Sequence, residues 1–264
     1  MRFTRPDISV IVVNYNTRDL LEECLTALIS NPPSCAFEVL VVDNNSQDGS
    51  RTLLDERFPQ CRVIGNRRNL GFARAANQAY HVSQGGYCLV MNPDLRVLPA
   101  SIQRLWEFME SHRDVGIAFP KLYNPDGSLQ YSCRTFHTMG TILFRRTPLG
   151  RLFPNNRILR EHLMTDWDHN TLREIDWALG GCMMVRREAI PDGQLFDERF
   201  FLYFEEVDLC YRMKKTPWKV VYTPEAAMIH HHLRESAGKG LNRQKMEVIR
   251  SWVKFRLKHL FHPH

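Results

Sequence analysis

The chain has 264 residues, of which 44% are apolar and 11% aromatic, a composition typical of a folded globular protein and not of a disordered one. Its net charge is +6, but residues 239–264 alone carry seven Lys/Arg against one acid, whereas residues 1–238 balance at 28 against 28. A nucleic-acid binder more often carries a basic stripe over its folded body, whereas a basic tail with Trp252, Phe255, Leu260 and Phe261 also suits an anionic membrane surface.

The cysteines and the N-terminal residues indicate the compartment. Seven cysteines without a Cys-x-x-Cys pair, most of them in apolar stretches, predict buried free thiols and argue against a disulfide frame or a zinc site. The first apolar run, Ile8–Val13, is too short for a signal sequence or a transmembrane helix. We therefore expect a cytoplasmic protein.

Residues 1–94 repeat a pattern of buried strand, polar loop and amphipathic helix. Predicted strands lie at 8–13, 38–42, 63–64 and 86–91. The first predicted helix follows Thr17, the second starts in the segment 46–50 and runs through Phe58, and the third spans 72–82. Thr17 is the predicted N-cap of the first helix, and Asn-Pro-Pro at 31–33 ends it. Continuous apolar strands joined by helices predict right-handed βαβ units and a mostly parallel sheet.

Each of these strands ends in a polar loop. The loops at 14–17, 43–46, 66–71 and 92–94 should gather at one edge of the sheet, where open α/β sheets bind nucleotides. The chain has neither Gly-x-Gly-x-x-Gly nor Gly-x-x-x-x-Gly-Lys-Ser/Thr, which excludes an ordinary dinucleotide or P-loop enzyme. A diphosphate bound here would need a cation, which Asp94 can hold. Asn-Pro-Asp at 92–94 is also a turn signal, so these residues alone leave a plain turn open.

The middle of the chain is harder to interpret. Residues 99–112 predict a helix, 116–119 a strand and 124–128 a hairpin turn. Weak periodicity at 134–173 predicts either an acceptor-facing segment or an ordinary long excursion. A strand is expected at 175–185, where the paired glycines Gly180 and Gly181 indicate a bulge or a close backbone approach.

Two further segments carry chemistry-bearing side chains. Glu205, Glu206 and Asp208 follow the apolar run 200–204 at the start of a predicted helix. They either complement the helix dipole or, at the edge of an apolar wall, have raised pKa values that suit a general base. The last predicted strand is at 218–222, and the apolar run 226–229 leads into His230–His232. We favour one metal ligand among these histidines over a solvated loop.

Together these motifs resemble the inverting glycosyltransferases of family 2, which have the GT-A fold, and in particular bacterial rhamnosyltransferases. The resemblance covers about residues 8–236. It is carried by Val-Val-Asn-Tyr-Asn at 12–16, Val-Val-Asp-Asn-Asn-Ser at 41–46, Asn69-x-Gly71-Phe72, Met-Asn-Pro-Asp at 91–94, Gly180-Gly181, and the segment from Phe196-Asp197-Glu198 to Glu205-Glu206-x-Asp208-Leu209.

The resemblance implies a role for each motif. Asp94 occupies the metal-binding position of Asp-x-Asp, with Asn92 in place of the first acid, and His230 matches a metal ligand after the last strand, with His231 as the alternative. The implied cofactor is Mg²⁺ or Mn²⁺. Glu206 stands where the family commonly has an Asp base, with Glu205 and Asp208 as the other candidates. The residues implied to bind the nucleotide sugar are Asn14, Tyr15, Asn16, Asp43, Asn45, Asn69, Gly71 and Asn92, and those expected at the acceptor are Trp177, Gly180 and Gly181.

The implied activity is metal-assisted inverting transfer, most simply of L-rhamnose from dTDP-L-rhamnose to a polyprenyl-diphosphate-linked saccharide in cell-envelope polysaccharide synthesis. Transfer of galactofuranose, glucose or N-acetylglucosamine, and a non-catalytic nucleotide-sugar or membrane-binding module, are the alternatives. A sugar-1-phosphate nucleotidyltransferase would need a glycine-rich, Arg-bearing loop where this chain has Asn-Tyr-Asn-Thr.

The same reasoning predicts the organisation of the chain. We expect a GT-A domain at 1–238, with a nucleotide-sugar-binding half at 1–98 and an acceptor and catalytic half at 99–238. Residues 239–264 should form a basic amphipathic helix whose stripe is Met246, Ile249, Val253, Leu257 and Leu260. Either this stripe packs on the catalytic domain or it lies on the inner face of the plasma membrane.

Overall fold

A computed structural model describes residues 5–146, 149–153, 156–231 and 243–260. The strands are β1 (Ile8–Asn14), β2 (Phe37–Asp43), β3 (Arg62–Gly65), β4 (Tyr87–Met91), β5 (Leu95–Val97), β6 (Val115–Tyr123), β7 (Cys133–Arg134), β8 (Arg173–Glu174), β9 (Trp177–Ala178), β10 (Cys182–Arg186) and β11 (Lys219–His230). The helices are α1 (Arg18–Ser30), α2 (Ser50–Arg57), α3 (Phe72–Val82), α4 (Ser101–Ser111), α5 (Met139–Arg146), α6 (Leu149–Leu152), α7 (Arg157–Leu163), α8 (Glu205–Met213) and α9 (Arg243–Leu260).

A central mixed sheet runs in the order β3-β2-β1-β4-β10-β6-β11-β5, and β8 also pairs with β11. The strands from β3 to β4 are parallel, as are β6 and β11, whereas β10, β5 and β8 run antiparallel to their neighbours. The strands β7 and β9 form a separate antiparallel pair. This architecture is the GT-A fold that the resemblance to family 2 glycosyltransferases implies.

Both faces of the sheet are covered, which explains the continuous apolar runs. Ile11 and Val13 of β1 pack into one core with α3, α8 and α9, and the alternate residues Val10 and Val12 pack into a second core with α1, α2 and α4. A strand buried on both faces needs apolar side chains at every position, not at alternate ones.

Several elements differ in detail from the sequence-based prediction. The stretch 175–185 forms two strands in different sheets, β9 and β10, with Gly180 and Gly181 between them. The segment 134–173 contains the short helices α5 to α7, which weak periodicity did not reveal. Thr17 occupies the N-cap position, but its hydroxyl donates to Asn14 Oδ1 at 2.7 Å and makes no cap to the helix.

The C-terminal helix α9 packs on the domain through an unexpected face. Val248, Ser251 and Phe255 are buried against the core that contains α8. The predicted stripe is exposed along its whole length: the exposed fractions are 38% for Met246, 44% for Ile249, 41% for Val253, 52% for Leu257 and 56% for Leu260. The interpretation that this stripe packs on the catalytic domain is therefore wrong. None of the helices within the described ranges is long and apolar enough to cross a membrane.

Candidate active site

The ends of β1 and β2 form one corner of the site. Asn14 and Asp43 are register partners, and both side chains are buried. The amide of Asn14 donates to Asp43 Oδ1 at 3.2 Å and to Ser46 Oγ at 3.0 Å, while Ser46 N–H donates to Asp43 Oδ2 at 3.3 Å. The Asp43 carboxylate therefore has a fixed orientation at the sheet edge.

The loops after β1 and β2 are tied to each other. Asn16, with φ at +53°, accepts from Gln47 N–H at 2.7 Å, and its own N–H donates to Ser46 Oγ at 3.0 Å. Asn45 also has a positive φ, +71°, a conformation that Asn adopts more readily than most residues. Tyr15 is 47% exposed between these loops. The predicted donor-binding residues thus form a continuous polar rim with one exposed aromatic ring.

Asn44, which is 2% exposed, organises the other predicted donor residues and was not among the site residues predicted from sequence. Its Nδ2 donates to Asn69 Oδ1 at 2.9 Å and to Gly71 O at 3.3 Å. Its Oδ1 accepts from Leu70 N–H and from Asn66 Nδ2. A run of four polar residues after a buried strand was the signal available in the sequence, but nothing in that signal distinguishes the inward-facing amide.

Asp94 and His230 are brought together by strand pairing. The antiparallel pair β5 and β11 places His230 opposite Leu95, and His231 N–H donates to Asp94 O at 2.9 Å. His230 Nε2 lies 3.3 Å from Asp94 Oδ1, an atom that accepts no hydrogen bond. The imidazole of His231 instead faces Glu23 of α1 at 3.5 Å. Of the two histidines considered from sequence, His230 is the one beside the Asp94 carboxylate.

The other nitrogen of His230 is held by Gln130, which sequence reasoning missed. His230 Nδ1–H donates to Gln130 Oε1 at 2.7 Å, and Gln130 Nε2 donates back to the His230 carbonyl at 3.4 Å. This hydrogen bond orients the ring so that Nε2 faces the Asp94 carboxylate. A carboxylate oxygen and an imidazole nitrogen, the latter oriented by a second hydrogen bond, are a donor set that suits Mg²⁺ or Mn²⁺. Across the described part of the chain, no cluster of three or more His, Cys, Asp or Glu side chains is arranged for a metal.

Gly180 and Gly181 lie between the Asp94 and His230 pair and the acids of α8. A Cβ on Gly180 would lie 3.3 Å from the carboxyl carbon of Glu206, and a Cβ on Gly181 would lie 3.1 Å from Cε1 of His230. Since consecutive Cα atoms are about 3.8 Å apart, the two functional groups are no more than about 13 Å apart. Gly181 is itself anchored, because its carbonyl accepts from Asn92 N–H at 2.8 Å. The absence of side chains at 180 and 181 therefore lets Glu206 and His230 pack directly against the backbone there.

Glu205 and Glu206 begin α8, after Tyr203 and Phe204 with positive φ values. Burial raises the pKa of Glu206 to about 7, although backbone N–H groups, including that of Gly180, oppose the rise. The pKa of Glu205 is raised well above its usual range by burial and by the neighbouring Glu206, and its Oε1 has no hydrogen-bond partner. A carboxyl group that titrates near neutral pH is suited to accept a proton from a hydroxyl group.

Asp208, the third predicted acid, is fully buried and points towards α9. Its carboxylate accepts from Arg212 Nε at 2.9 Å, from Lys258 Nζ at 2.7 and 2.8 Å, and from His259 Nε2 at 2.8 Å. Burial tends to raise the pKa of Asp208, but the hydrogen bonds from His259 and Lys258 outweigh it and hold the pKa below its usual range. The structure thus separates Asp208 from the glycine pair that Glu206 approaches.

Trp177, predicted at the acceptor, is 5% exposed and lies on β9, three residues before Gly180. Its indole N–H donates to Thr135 O at 2.9 Å, and its ring stacks on His137 with centroids 5.3 Å apart. His137 in turn contacts Phe204, immediately before α8. The acceptor-side residues and the acids of α8 therefore belong to one packed unit.

The protein is a glycosyltransferase with the GT-A fold. Its mixed sheet has polar loops at one edge, the Asp94 and His230 pair lies at the end of β11, and acids begin α8. The sequence profile described as glycosyl transferase family 2 matches residues 9–191, and the chain belongs to this family. Within this family the chain is rhamnosyltransferase-like. It is 30% identical over 239 residues to the N-acetylglucosaminyl-diphospho-decaprenol L-rhamnosyltransferase of Mycobacterium tuberculosis. The match covers 85% of this chain and 76% of that protein. Rhamnosyltransferase WbbL of Escherichia coli is 24% identical, covering 85% of this chain and 84% of its own length.

Solved structures support the fold. A mannosyltransferase from Pyrobaculum calidifontis, solved with GDP-Man and Mn²⁺, superposes with a TM-score of 0.63 at 17% identity, over 98% of this chain and 65% of that one. GalNAc-T7, solved with UDP, GalNAc and Mn²⁺, has a TM-score of 0.67 at 15% identity, over 96% of this chain and 48% of its own. The chain thus spans less than two thirds of either structure, and the shared part is the GT-A fold.

Proposed function

We propose that this glycosyltransferase moves L-rhamnose from dTDP-L-rhamnose to a hydroxyl group of a polyprenyl-diphosphate-linked saccharide in cell-envelope polysaccharide synthesis. The observation that carries the proposal is the glycine pair, with Glu206 on one side and the Asp94 and His230 pair on the other. The name of the mycobacterial relative, with both its sugar and its lipid-linked acceptor, supports the choice of substrates.

Glu206 is the proposed general base. The acceptor oxygen attacks the anomeric carbon as its proton passes to the Glu206 carboxylate, the bond from that carbon to the diphosphate breaks, and dTDP departs with the electron pair. Attack opposite to the leaving group inverts the centre, so a β-L-rhamnosyl donor gives an α-L-rhamnoside. Glu205, buried beside Glu206, keeps the pair from carrying two charges in the resting state.

Asp94 and His230 are the proposed ligands of a divalent cation, Mn²⁺ or Mg²⁺, with Gln130 holding the imidazole. When bound, such a cation neutralises charge on the leaving diphosphate. Manganese in the two structural neighbours supports this assignment. The polar rim around Asp43 and Asn14 is the proposed nucleoside site. Residues 1–98 would then supply most donor contacts, and residues 99–238 the base, the acceptor contacts and His230.

The exposed stripe of α9 is the proposed membrane-facing surface. Its apolar side chains lie next to Arg250 and Lys254, which are also exposed. An amphipathic helix with this arrangement suits an anionic bilayer, where each Lys or Arg near the surface contributes about 1 kcal/mol. An enzyme held there would meet a lipid-linked acceptor directly.

Activity with defined substrates tests the proposed reaction. With an N-acetylglucosaminyl-diphospho-lipid acceptor and Mn²⁺, we expect faster release of the nucleoside diphosphate from dTDP-L-rhamnose than from UDP-galactofuranose, UDP-glucose or UDP-N-acetylglucosamine. NMR of the product should show an α-L-rhamnoside. Preference for another donor would overturn the assignment of the sugar, and a retained β configuration would overturn the inverting mechanism.

Liposome flotation tests the membrane surface. The double variant Ile249→Ser/Leu257→Ser should lose salt-sensitive binding to anionic vesicles and keep its folding, because both side chains are exposed. Val82→Ser, at the exposed end of α3, is the matched control. Point variants are preferable to removal of residues after 238, because truncation would also remove the Lys258 contact to Asp208. Equal binding by the double variant and the control would exclude α9 as the membrane contact.

A further inference from the structure

The helix α9 contacts the segment that leads into α8, through the face that lies away from its exposed apolar stripe. Ser251 and Phe255 lie on this packed face and are 0% and 5% exposed. The Ser251 hydroxyl donates to Leu202 O at 3.0 Å, and the Phe255 ring packs on the Phe204 ring with centroids 5.7 Å apart. Both contacts fall on the turn at 202–204, which directly precedes α8.

This turn has a backbone conformation that needs support from its surroundings. Tyr203 and Phe204 have φ values of +68° and +74°, and neither residue is a glycine or an asparagine. Two consecutive aromatic residues in this left-handed region are strained, and such a conformation persists only where neighbouring contacts fix it. The contacts of Ser251 and Phe255 with Leu202 and Phe204 supply that support from α9.

The turn sets the position of Glu206. Phe204 is the N-cap residue of α8, and no side chain caps the helix there. Glu206 comes two residues later, and its carboxyl carbon would lie 3.3 Å from a Cβ at Gly180. A second contact from α9 holds the same end of the helix, because Lys258 Nζ donates to the buried Asp208 carboxylate at 2.7 and 2.8 Å. Helix α9 therefore contacts both the turn before Glu206 and the first turn of α8.

A separate contact holds the residue before the turn. Phe201 O accepts from Phe72 N–H, at the start of α3, at 2.8 Å. A Cβ on Gly71 would lie 2.5 Å from the same oxygen, so Phe201 lies directly against the loop that is proposed to bind the donor. Because Phe201 is anchored to α3 and not to α9, loosening the contact at Leu202 should displace Glu206 and leave the donor loop in place.

We propose that Ser251 is a positioning residue for Glu206, and that it acts by holding Leu202 O and so fixing the turn from which α8 begins. This inference rests on the proposed function, because it takes Glu206 as the base of the transfer reaction. It gives α9 a role in catalysis through its packed face, separate from the membrane contact proposed for its exposed face.

The variant Ser251→Ala tests this role, because it removes one hydroxyl group and suits a helix. The Lys258 contact to Asp208 remains, so α9 should stay docked. Ser101→Ala is the matched control: Ser101 is 3% exposed at the start of α4, in the other core, and its hydroxyl also donates to a distant carbonyl, that of Ala227. Each variant loses one buried hydrogen bond, so both should lose a similar amount of stability. Only Ser251→Ala should lower kcat, by roughly 10-fold, with little change in the KM of the donor.

A titration of Glu206 in the free protein gives a second measurement that needs no substrate. Its signal can be followed by NMR in protein that carries carbon-13 in its Glu side chains, with Glu206→Gln to assign it. Burial raises the pKa of Glu206 to about 7, so a looser turn that exposes the carboxyl group should lower the midpoint in Ser251→Ala. The titratable neighbours are Glu205 and Cys210 on α8, and Glu247 of α9 lies near Glu205. These groups are unchanged in the variant, so the shift reports the surroundings of the Glu206 carboxyl group.

The outcomes separate this inference from the proposed function. Equal kcat values and equal titration midpoints for Ser251→Ala and Ser101→Ala would overturn the positioning role. In an active enzyme, a lower kcat without a lower midpoint, or the reverse, would overturn it as well. If the midpoint falls in Ser251→Ala but the unmodified protein transfers no sugar, the coupling of α9 to Glu206 stands and the proposed reaction fails.

Discussion

The raised pKa of Glu206 predicts that the proposed base lowers stability at alkaline pH. In the unfolded chain Glu206 loses its proton near 4.5, whereas in the folded protein it keeps the proton up to about 7. Between these pH values the folded state binds more protons than the unfolded state, so the free energy of unfolding falls as the pH rises. At about 1.4 kcal/mol per pKa unit, the loss is about 3 kcal/mol, an upper limit because the side chain keeps some exposure.

The variant Glu206→Gln removes this titration. We expect it to be more stable than the unmodified protein by up to about 3 kcal/mol at pH 8 and to differ little at pH 4.5, measured as urea unfolding at both pH values. Glu56→Gln, at an exposed position of α2, is the control and should follow the unmodified protein at both. Glu205→Gln/Glu206→Gln should flatten the pH dependence further, because Glu205 also has a raised pKa.

The same variant tests the catalytic role. Loss of a general base should lower kcat by roughly 10² to 10⁴ with little change in donor affinity, and in the unmodified enzyme kcat/KM should rise with pH through about 7. An unchanged pH dependence of unfolding in Glu206→Gln would refute the argument from burial. Full activity in this variant, with loss of activity in Asp208→Asn or Glu205→Gln, would move the base to that residue.

Three other substitutions probe the rest of the site. Asp94→Ala should abolish the Mn²⁺-dependent thermal shift caused by dTDP-L-rhamnose without lowering the melting temperature of the free protein. Full transfer activity in this variant would exclude Asp94 as a metal ligand. Gly181→Ala should weaken Mn²⁺ binding roughly 10- to 100-fold, because the added Cβ would displace the His230 ring. The control Gly86→Ala should leave Mn²⁺ binding unchanged, because its Cβ would meet only Asp7 O at 3.7 Å. Equal Mn²⁺ affinities of the two variants would argue against the close approach of Gly181 to His230. Lys258→Met should lower the free energy of unfolding by about 1–3 kcal/mol, because it removes one cation from the buried Asp208 carboxylate. The control Lys254→Met, at an exposed position, should lower it less. If Lys258→Met were as stable as the unmodified protein, Arg212 and His259 would be sufficient to stabilise the Asp208 charge.

The pattern of the sequence was sufficient to predict the sheet and the edge at which the candidate site residues lie. Continuous apolar runs such as Ile8–Val13 indicate strands buried on both faces, and α3 was predicted with the bounds that the structure shows. Polar loops after parallel strands meet at one edge of a sheet whatever the details of packing, so Asp43, Asn69 and Asp94 could be predicted to lie at the same edge. These features are local or follow from strand direction.

Contacts between distant segments had to come from the tertiary structure. Gln130 holds His230 across 100 residues, and no periodicity links the two. Residue type could not say which of Glu206 and Asp208 lies beside the glycine pair, because the difference depends on Lys258 and His259 of α9 pairing with Asp208. The packed face of α9 was missed for the same reason. It includes Ser251, Lys258 and His259, whose polar groups bond to partners on the domain, so the more apolar stripe was left exposed.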